Sequence, residues 1–258
     1  MSDILAADHG AVRVITLNRP QARNALGPDL MRALYDALQA ADTDTEVRAV
    51  VLTGTDPAFC AGVDLKAAAR DGMGYFEEFR TRSPITAVRE MRTPVIGAVN
   101  GATFTGGLEI ALGCDFLIAS ERAVFADTHA RVGILPGGGM TARLPQVVGL
   151  AMARRMSMTG EVIDAVRAER IGLVTEVVAH DRLLARALEL AGQVADVPGP
   201  TMLGLKEIYT EGAAAVIDPA LAAEQRIAYA QQRDFDGLGD RFRAVTAHNK
   251  TQIGGHRD

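Results

Sequence analysis

Four short β-branched runs, each followed by a turn and then by residues of helical period, constrain this chain more than any other feature. AVRVITL (residues 11–17), VRAVVLTG (47–54), VIGAVNG (95–101) and FLIAS (116–120) have the length and composition of strands. After the first, PDLMRALYDALQAAD (28–42) sets Leu30, Ala33, Leu34, Ala37, Leu38 and Ala41 on one helical face, and Pro28 stands where a first turn tolerates proline. Strands that alternate with helices pair in parallel, so the expectation is an α/β fold.

Beyond about residue 140 the pattern turns helical. GLAMARRMSMTG, DAVRAERIG, DRLLARALELAGQVADV and DPALAAEQRIAYAQQRD all have helical period, and only VTEVV (174–178) reads as a strand. No Ser-rich or Pro-rich linker divides the chain, which predicts one domain: a core over 1–195 and a helical region over 196–258. The 258 residues are 48% hydrophobic and 23% charged, enough for a large core and unlike a disordered chain. A formal net charge of −5 without any basic block argues against a nucleic-acid partner. Asp3 and Asp8 interrupt the start where a secretory signal needs a basic and then apolar stretch, and no run is long enough to span a membrane. With only Cys60 and Cys114, neither in a metal-like spacing, the expectation is a cytoplasmic protein without a metal site.

GATFTGGLEIALGCD (101–115) places Gly106 and Gly107 directly before an apolar helical run that carries one acid, Glu109. The first N–H groups of a helix lack intrahelical partners and lie at its electropositive end. Bare glycine backbone there lets a ligand atom approach. Two readings stay open on these residues alone: Glu109 complements the helix dipole, or it faces a ligand. AFCAGVDLK (58–66) is a second small-residue loop after a strand, with Asp64 either an ordinary N-cap or part of a site. Two such loops can each aim one N–H at a single oxygen, the arrangement of an oxyanion hole. LTGTDPAFCAG and AVNGATFTGG also share the order strand, Gly, Phe, small residue, Gly, too faintly to count as a repeat.

AFCAGVDLK, NGATFTGGLEIALGCDFLIAS, FADTHARVGILPGGGMTARLPQVVG and MTGEVIDAVRAERIGLVTEVV, in that order, resemble the enoyl-CoA hydratase/isomerase (crotonase) superfamily from LNRPQARNAL (17–26) to about residue 215. The resemblance implies a spiral of ββα units with a C-terminal helical trimerisation region. It implies acyl-CoA thioester substrates, a homotrimer or a hexamer built as a dimer of trimers, and no cofactor beyond the coenzyme A of the substrate itself. It matches Ala61 and Gly106 to the two backbone N–H groups that hold the thioester oxygen as it becomes an enolate. Ala22, Arg23, Gly62, Val63, Asp64, Leu65, Gly107 and Pro136 fall on its substrate-lining positions, and Arg23 and Lys66 come within reach of phosphate.

Hydratases of this family use two glutamates. Glu109 falls on the first position, and the second carries His129. Histidine shuttles protons near neutral pH, so Glu109 and His129 form a possible acid/base pair. His129 can alternatively hydrogen-bond the substrate or Glu109, or mark a site that binds acyl-CoA without hydrating it. Asp127 is placed to orient the imidazole, and Arg131 to pair with either acid. The expected activity is addition of water to trans-2-enoyl-CoA. The alternatives are a double-bond isomerase, another enolate-forming acyl-CoA enzyme, or a low-turnover acyl-CoA carrier. Cys60 reads as a packing residue, and PGGG (136–139) as the turn that starts a helix, since it lacks the spacing of a phosphate-binding loop.

Overall fold

The computed structural model describes residues 2–231 and 237–255. β1 (Ile4–His9) and β2 (Val12–Leu17) form an antiparallel hairpin. A 3-10 turn at Pro20–Ala22 leads to α1 (Pro28–Thr43), which buries Leu30, Met31, Leu34, Leu38 and Ala41. The chain then repeats one unit three times: a longer strand, a corner, a three-residue strand, and helix. β3 (Ala49–Gly54) and β4 (Ala58–Cys60) precede α2 (Leu65–Asp71), α3 (Met73–Thr81) and α4 (Pro84–Glu90). β5 (Val95–Val99) and β6 (Ala102–Phe104) precede α5 (Gly106–Ala111). β7 (Phe116–Ser120) and β8 (Val124–Ala126) precede α6 (His129–Val132), α7 (Met140–Val148) and α8 (Leu150–Thr159). β9 (Ile163–Asp164), α9 (Ala165–Arg170), β10 (Glu176–Val178) and α10 (Leu183–Asp196) follow, and then α11 (Gly199–Ala230) and α12 (Leu238–Gly255).

The longer strands make one sheet in the order β1-β2-β3-β5-β7-β10, parallel except at β1. Its two faces are covered by different layers. Ile15, Leu17, Val50 and Leu52 join a large core with the buried side of α1. Val14, Ala49, Val51, Ile96, Ala98 and Ile118 pack with Leu183, Ala187 and Ala191 of α10. Burial on both faces is why these strands read as nearly unbroken apolar runs. The short strands make a second sheet, β4-β6-β8-β9.

The expected α/β class and the helical C-terminal part agree with this architecture. The second sheet is absent from the sequence reading, because strands of two or three residues are too short for a period to show. VTEVV contributes only Glu176–Val178 to a strand, and VIGAVNG stops at Val99, where the chain turns the corner into β6. The stretch 70–86, whose glycines suggest a mobile wall to the acyl pocket, carries the end of α2, all of α3 and the start of α4. His180, to which the sequence assigns no role, ties the corners together: its Nε2 lies 2.9 Å from Asp56 Oδ2 and its Nδ1 2.9 Å from Ser120 Oγ. Asn100 Nδ2 donates to the other Asp56 oxygen at 2.9 Å.

The β4–β6 pairing (Ala58 opposite Ala102, Cys60 opposite Thr103) explains the faint sequence echo, since both segments are the same strand–corner–strand unit laid side by side. It leaves almost no room between the units. A side chain on Gly107 would run into the Cys60 carbonyl oxygen, so glycine is required there by close approach. Gly107→Ala is therefore expected to cost about 1–3 kcal/mol of stability, as overpacking does, read as a lower denaturant midpoint at unchanged slope. A wild-type midpoint would show that the two units can part without penalty.

Candidate active site

The parallel β4–β6 pairing opens the loops after both strands on the same side. In the loop after β6, Thr105 adopts φ +47°, ψ −118°, sparsely populated for a β-branched residue, and its N–H donates to Ala126 O at 3.0 Å. That turn starts α5 with the Gly106 N–H free of any protein acceptor among the described residues. In the loop after β4 the free amide is not the expected one. Ala61 N–H donates to Arg23 O at 3.0 Å, so the assignment of Ala61 as oxyanion donor is corrected. Gly62 N–H is engaged by the Cys60 sulfur, and Asp64 N–H by Leu26 O and the Tyr75 hydroxyl. Among the described residues, Val63 N–H alone of these has no protein acceptor, and a Cβ placed on Gly106 would lie 4.0 Å from the Val63 nitrogen. The alternation is that of a strand edge: the Leu26–Val63 bridge turns the neighbouring amides inward and Val63 outward.

Glu109 follows in the first turn of α5 and is 4% exposed. Its Oε1 accepts from Gly138 N–H at 2.9 Å and Met140 N–H at 3.3 Å, which leaves Oε2 turned toward His129 Nε2, 4.0 Å away. His129, 7% exposed, starts α6, and its Nδ1 lies 2.7 Å from Asp127 Oδ1. Burial pushes the Glu109 carboxyl up to about 7 although the His129 charge pulls it down. Burial opposes a charged His129, but the Asp127 carboxylate overrides it and lifts the imidazole to about 9. Asp127 itself is held below the usual carboxylate range: its burial is outweighed by the His129 charge and by hydrogen bonds from His129 and Ser157. With Asp127 fixing the Nδ1–H, Nε2 presents a proton toward Glu109 and the space beside it.

Two cavities meet here. The larger, about 540 Å³, is lined by Ala22, Arg23, Ala61, Val63, Asp64, Leu65 and Lys66 and by residues of α12. The smaller, about 110 Å³, is lined by Gly106, Glu109, Phe76, Ile85 and Tyr229 among others. Val63, His129 and Ile134 line both, so a ligand that passes from one to the other crosses between Val63 and His129. Five expected lining residues, Ala22, Arg23, Val63, Asp64 and Leu65, do border the larger cavity. Three do not. Gly107 packs on Cys60, and a side chain on Gly62 (φ +88°) would run into Thr105, so both serve loop packing. Pro136 borders neither cavity, although Leu135, Gly137 and Gly138 border the smaller. The Asp64 carboxylate is occupied in capping α2 and pairing with Arg19 Nη1 at 2.6 Å. Arg131 Nε donates to Thr159 O rather than to an acid of the site. Cys60 is fully buried, and burial pushes its thiol up to about 12, which suits packing and not nucleophilic attack. PGGG does lead into α7.

Three contributors escape sequence reasoning: the Val63 amide, the Gly138–Met140 backbone that holds Glu109, and Asn249 on α12. Asn249 lines the larger cavity, is 7% exposed, and its Oδ1 has no hydrogen-bond partner among the described residues. Among the described residues no group of three or more His, Cys, Asp or Glu is placed to hold a metal ion, and no helix is long and apolar enough to cross a membrane.

A spiral of ββα units whose neighbouring loops set an amide pair beside a buried acid is the arrangement of the crotonase class, and the chain belongs to the enoyl-CoA hydratase/isomerase family, which it matches over residues 7–237. It is 42% identical over 228 residues to a probable enoyl-CoA hydratase of Rhizobium meliloti, covering 87% of each chain. It is 36% identical to the 2,3-dehydroadipyl-CoA hydratase of Escherichia coli, covering 88% of this chain and 89% of that one. The crystal structure of an enoyl-CoA hydratase from Mycobacterium smegmatis superposes with a TM-score of 0.80 at 46% identity, covering 89% of this chain and 97% of that one.

The Asp127–His129 pair makes a direct prediction. Asp127→Asn removes the anion that lifts the imidazole while burial remains, so the His129 midpoint is expected to fall from about 9 to below about 7. Titration of the imidazole resonances by NMR measures it, and an unmoved midpoint would remove Asp127 from the cause.

Proposed function

We propose that this protein is an enoyl-CoA hydratase that adds water across the double bond of a trans-2-enoyl-CoA, with Glu109 taking the proton from water and His129 supplying the proton at Cα. The observation that carries the reading is the juxtaposition of Glu109 Oε2 and His129 Nε2, 4.0 Å apart, where the cavities meet beside the Val63 and Gly106 amides. The thioester oxygen accepts from Val63 N–H and Gly106 N–H, with Val63 in the place expected of Ala61. Glu109, ionised, accepts a proton from water as the water oxygen bonds to Cβ. The π pair moves toward Cα, and negative charge gathers on the thioester oxygen between the two amides. A preorganised donor of this kind contributes about 3 kcal/mol to such a transition state. His129 then gives its Nε2 proton to Cα as the enolate collapses. Proton transfer from Glu109 to His129 restores the starting state. The chemistry asks for no group beyond the coenzyme A of the substrate. Proton-transfer groups on both sides of the bond favour hydration over isomerisation, which needs one group to move one proton.

The larger cavity suits the carrier arm of the thioester. Arg23, Lys66 and Lys250 border it and complement phosphate, and the orphan Asn249 Oδ1 is a buried acceptor that an amide N–H of the pantetheine arm would satisfy. We further assign the assembly as a homotrimer, or a hexamer of two trimers. Exposed Leu205, Ile208, Tyr209 and Val216 on α11 support it, since apolar side chains in such a row mark an interaction surface. Free Cys60 and Cys114 suit the cytoplasm.

Hydration needs Glu109 ionised and His129 protonated. Activity against pH is therefore expected to rise through about 7 and fall through about 9. The loss of conjugated enoyl absorbance of a short trans-2-enoyl-CoA reads it, and Glu109→Gln is expected to lower kcat roughly 10²- to 10⁴-fold with little change in affinity. Wild-type turnover in that variant would remove Glu109 from the mechanism, and binding without turnover in the native protein would end the hydratase reading. Light scattering on the purified chain tests the assembly: a monomer mass would contradict it.

A further inference from the structure

Glu224 lies on α11, outside the ββα core, and nothing in the proposed reaction uses it. It is 7% exposed, and both of its carboxylate oxygens are engaged. Oε1 accepts from Gly139 N–H at 2.7 Å, and Oε2 accepts from Thr141 N–H and from Thr141 Oγ1, each at 2.6 Å. These donors surround the start of α7, where the first amides of a helix lack intrahelical partners. A side-chain carboxylate brought there from a distant helix satisfies them and favours the positive end of the helix.

The amides that Glu224 takes alternate with those that Glu109 takes. Gly138 N–H and Met140 N–H point to Glu109, while Gly139 N–H and Thr141 N–H point to Glu224. One four-residue backbone segment is thus clamped between two buried carboxylates, and each carboxylate fixes the geometry of the other's donors. The segment begins in a run of three glycines, and Gly139 has φ +110°.

We propose that Glu224 is a positioning residue for catalysis: its carboxylate pins the backbone of residues 138–141 so that the Gly138 and Met140 amides hold Glu109 with one oxygen turned toward His129 and the substrate. The inference rests on Glu109 as the proton acceptor of the proposed reaction. It makes α11 part of the catalytic apparatus at a distance, without contact to substrate. His129, Asp127 and Glu224 are the charged groups that act on Glu109, from the segment after β8 and from α11.

Two readouts test it in the intact protein. In Glu224→Gln one acceptor oxygen remains and an amide N–H₂ is set against a backbone donor. Glu224→Ala removes both acceptors. The expected result is a kcat lowered about tenfold in Glu224→Gln and further in Glu224→Ala, with KM little changed, since a misplaced proton acceptor slows the chemical step and leaves binding intact. Hydrogen exchange of the 137–141 segment, read by mass spectrometry without substrate, is expected to quicken about tenfold in the same variants. A kcat equal to wild type, a loss confined to KM, or unchanged exchange in folded Glu224→Gln overturns the proposal. If the Glu224 variants fail to fold, Thr141→Val removes a single hydrogen bond and takes their place: kcat lowered roughly two- to fivefold supports the proposal, and wild-type kcat overturns it. If the wild-type protein does not hydrate enoyl-CoA while exchange still quickens in the Glu224 variants, the hydratase reading fails and the Glu224 clamp on residues 138–141 stands.

Discussion

The parallel pairing of β4 with β6 is the constraint on which the site depends. Each is a three-residue strand that follows a longer strand around a tight corner, so the two strands lie side by side in the same direction. The loops that leave them emerge at one edge, and the free amides of Val63 and Gly106 become neighbours without side chains to direct them. Backbone donors placed in this way cannot rotate. They are oriented before substrate arrives, which is the condition under which hydrogen-bond donors stabilise a developing charge most effectively. The close approach that this requires is permitted by glycine at 62 and 107 and is bounded by the strained Thr105 turn.

Electrostatics supplies the second half of the design. Glu109, Asp127, His129 and Glu224 are all buried, three acids around one imidazole. An isolated buried carboxylate carries a large desolvation cost, and each here has a different remedy. Asp127 shares its charge with His129, Glu224 is satisfied by the start of α7, and Glu109 has two amides on one oxygen and a distant imidazole facing the other. Glu109 is the least compensated, and it is the group whose proton affinity rises most usefully toward neutrality. The second glutamate expected of a family hydratase is replaced by an Asp–His pair that offers an imidazolium instead of a carboxylic acid. Protonated, the imidazole carries one more positive charge than a carboxylic acid would in the same place.

Much of this protein is written in local sequence. Strand and helix periods in 11–17, 28–42, 47–54 and 95–120 identify the α/β class because each of those elements buries a continuous apolar face. The GG before Glu109 identifies a helix start beside an acid because that signal needs only neighbouring residues. The spacing from Glu109 to His129 becomes meaningful through resemblance, since no period connects the two positions.

What only the tertiary structure decided is which backbone groups remain unspent. Ala61 and Val63 are indistinguishable as amide donors in the sequence; the Arg23 carbonyl, far away along the chain, engages one and leaves the other free. Glu224 is likewise one acid among many on a long helix until α11 packs across the start of α7 and sets it against the amides of Gly139 and Thr141. Hydrogen-bond satisfaction is a property of the whole fold, because a donor is available to a ligand only when every protein acceptor within reach has gone elsewhere.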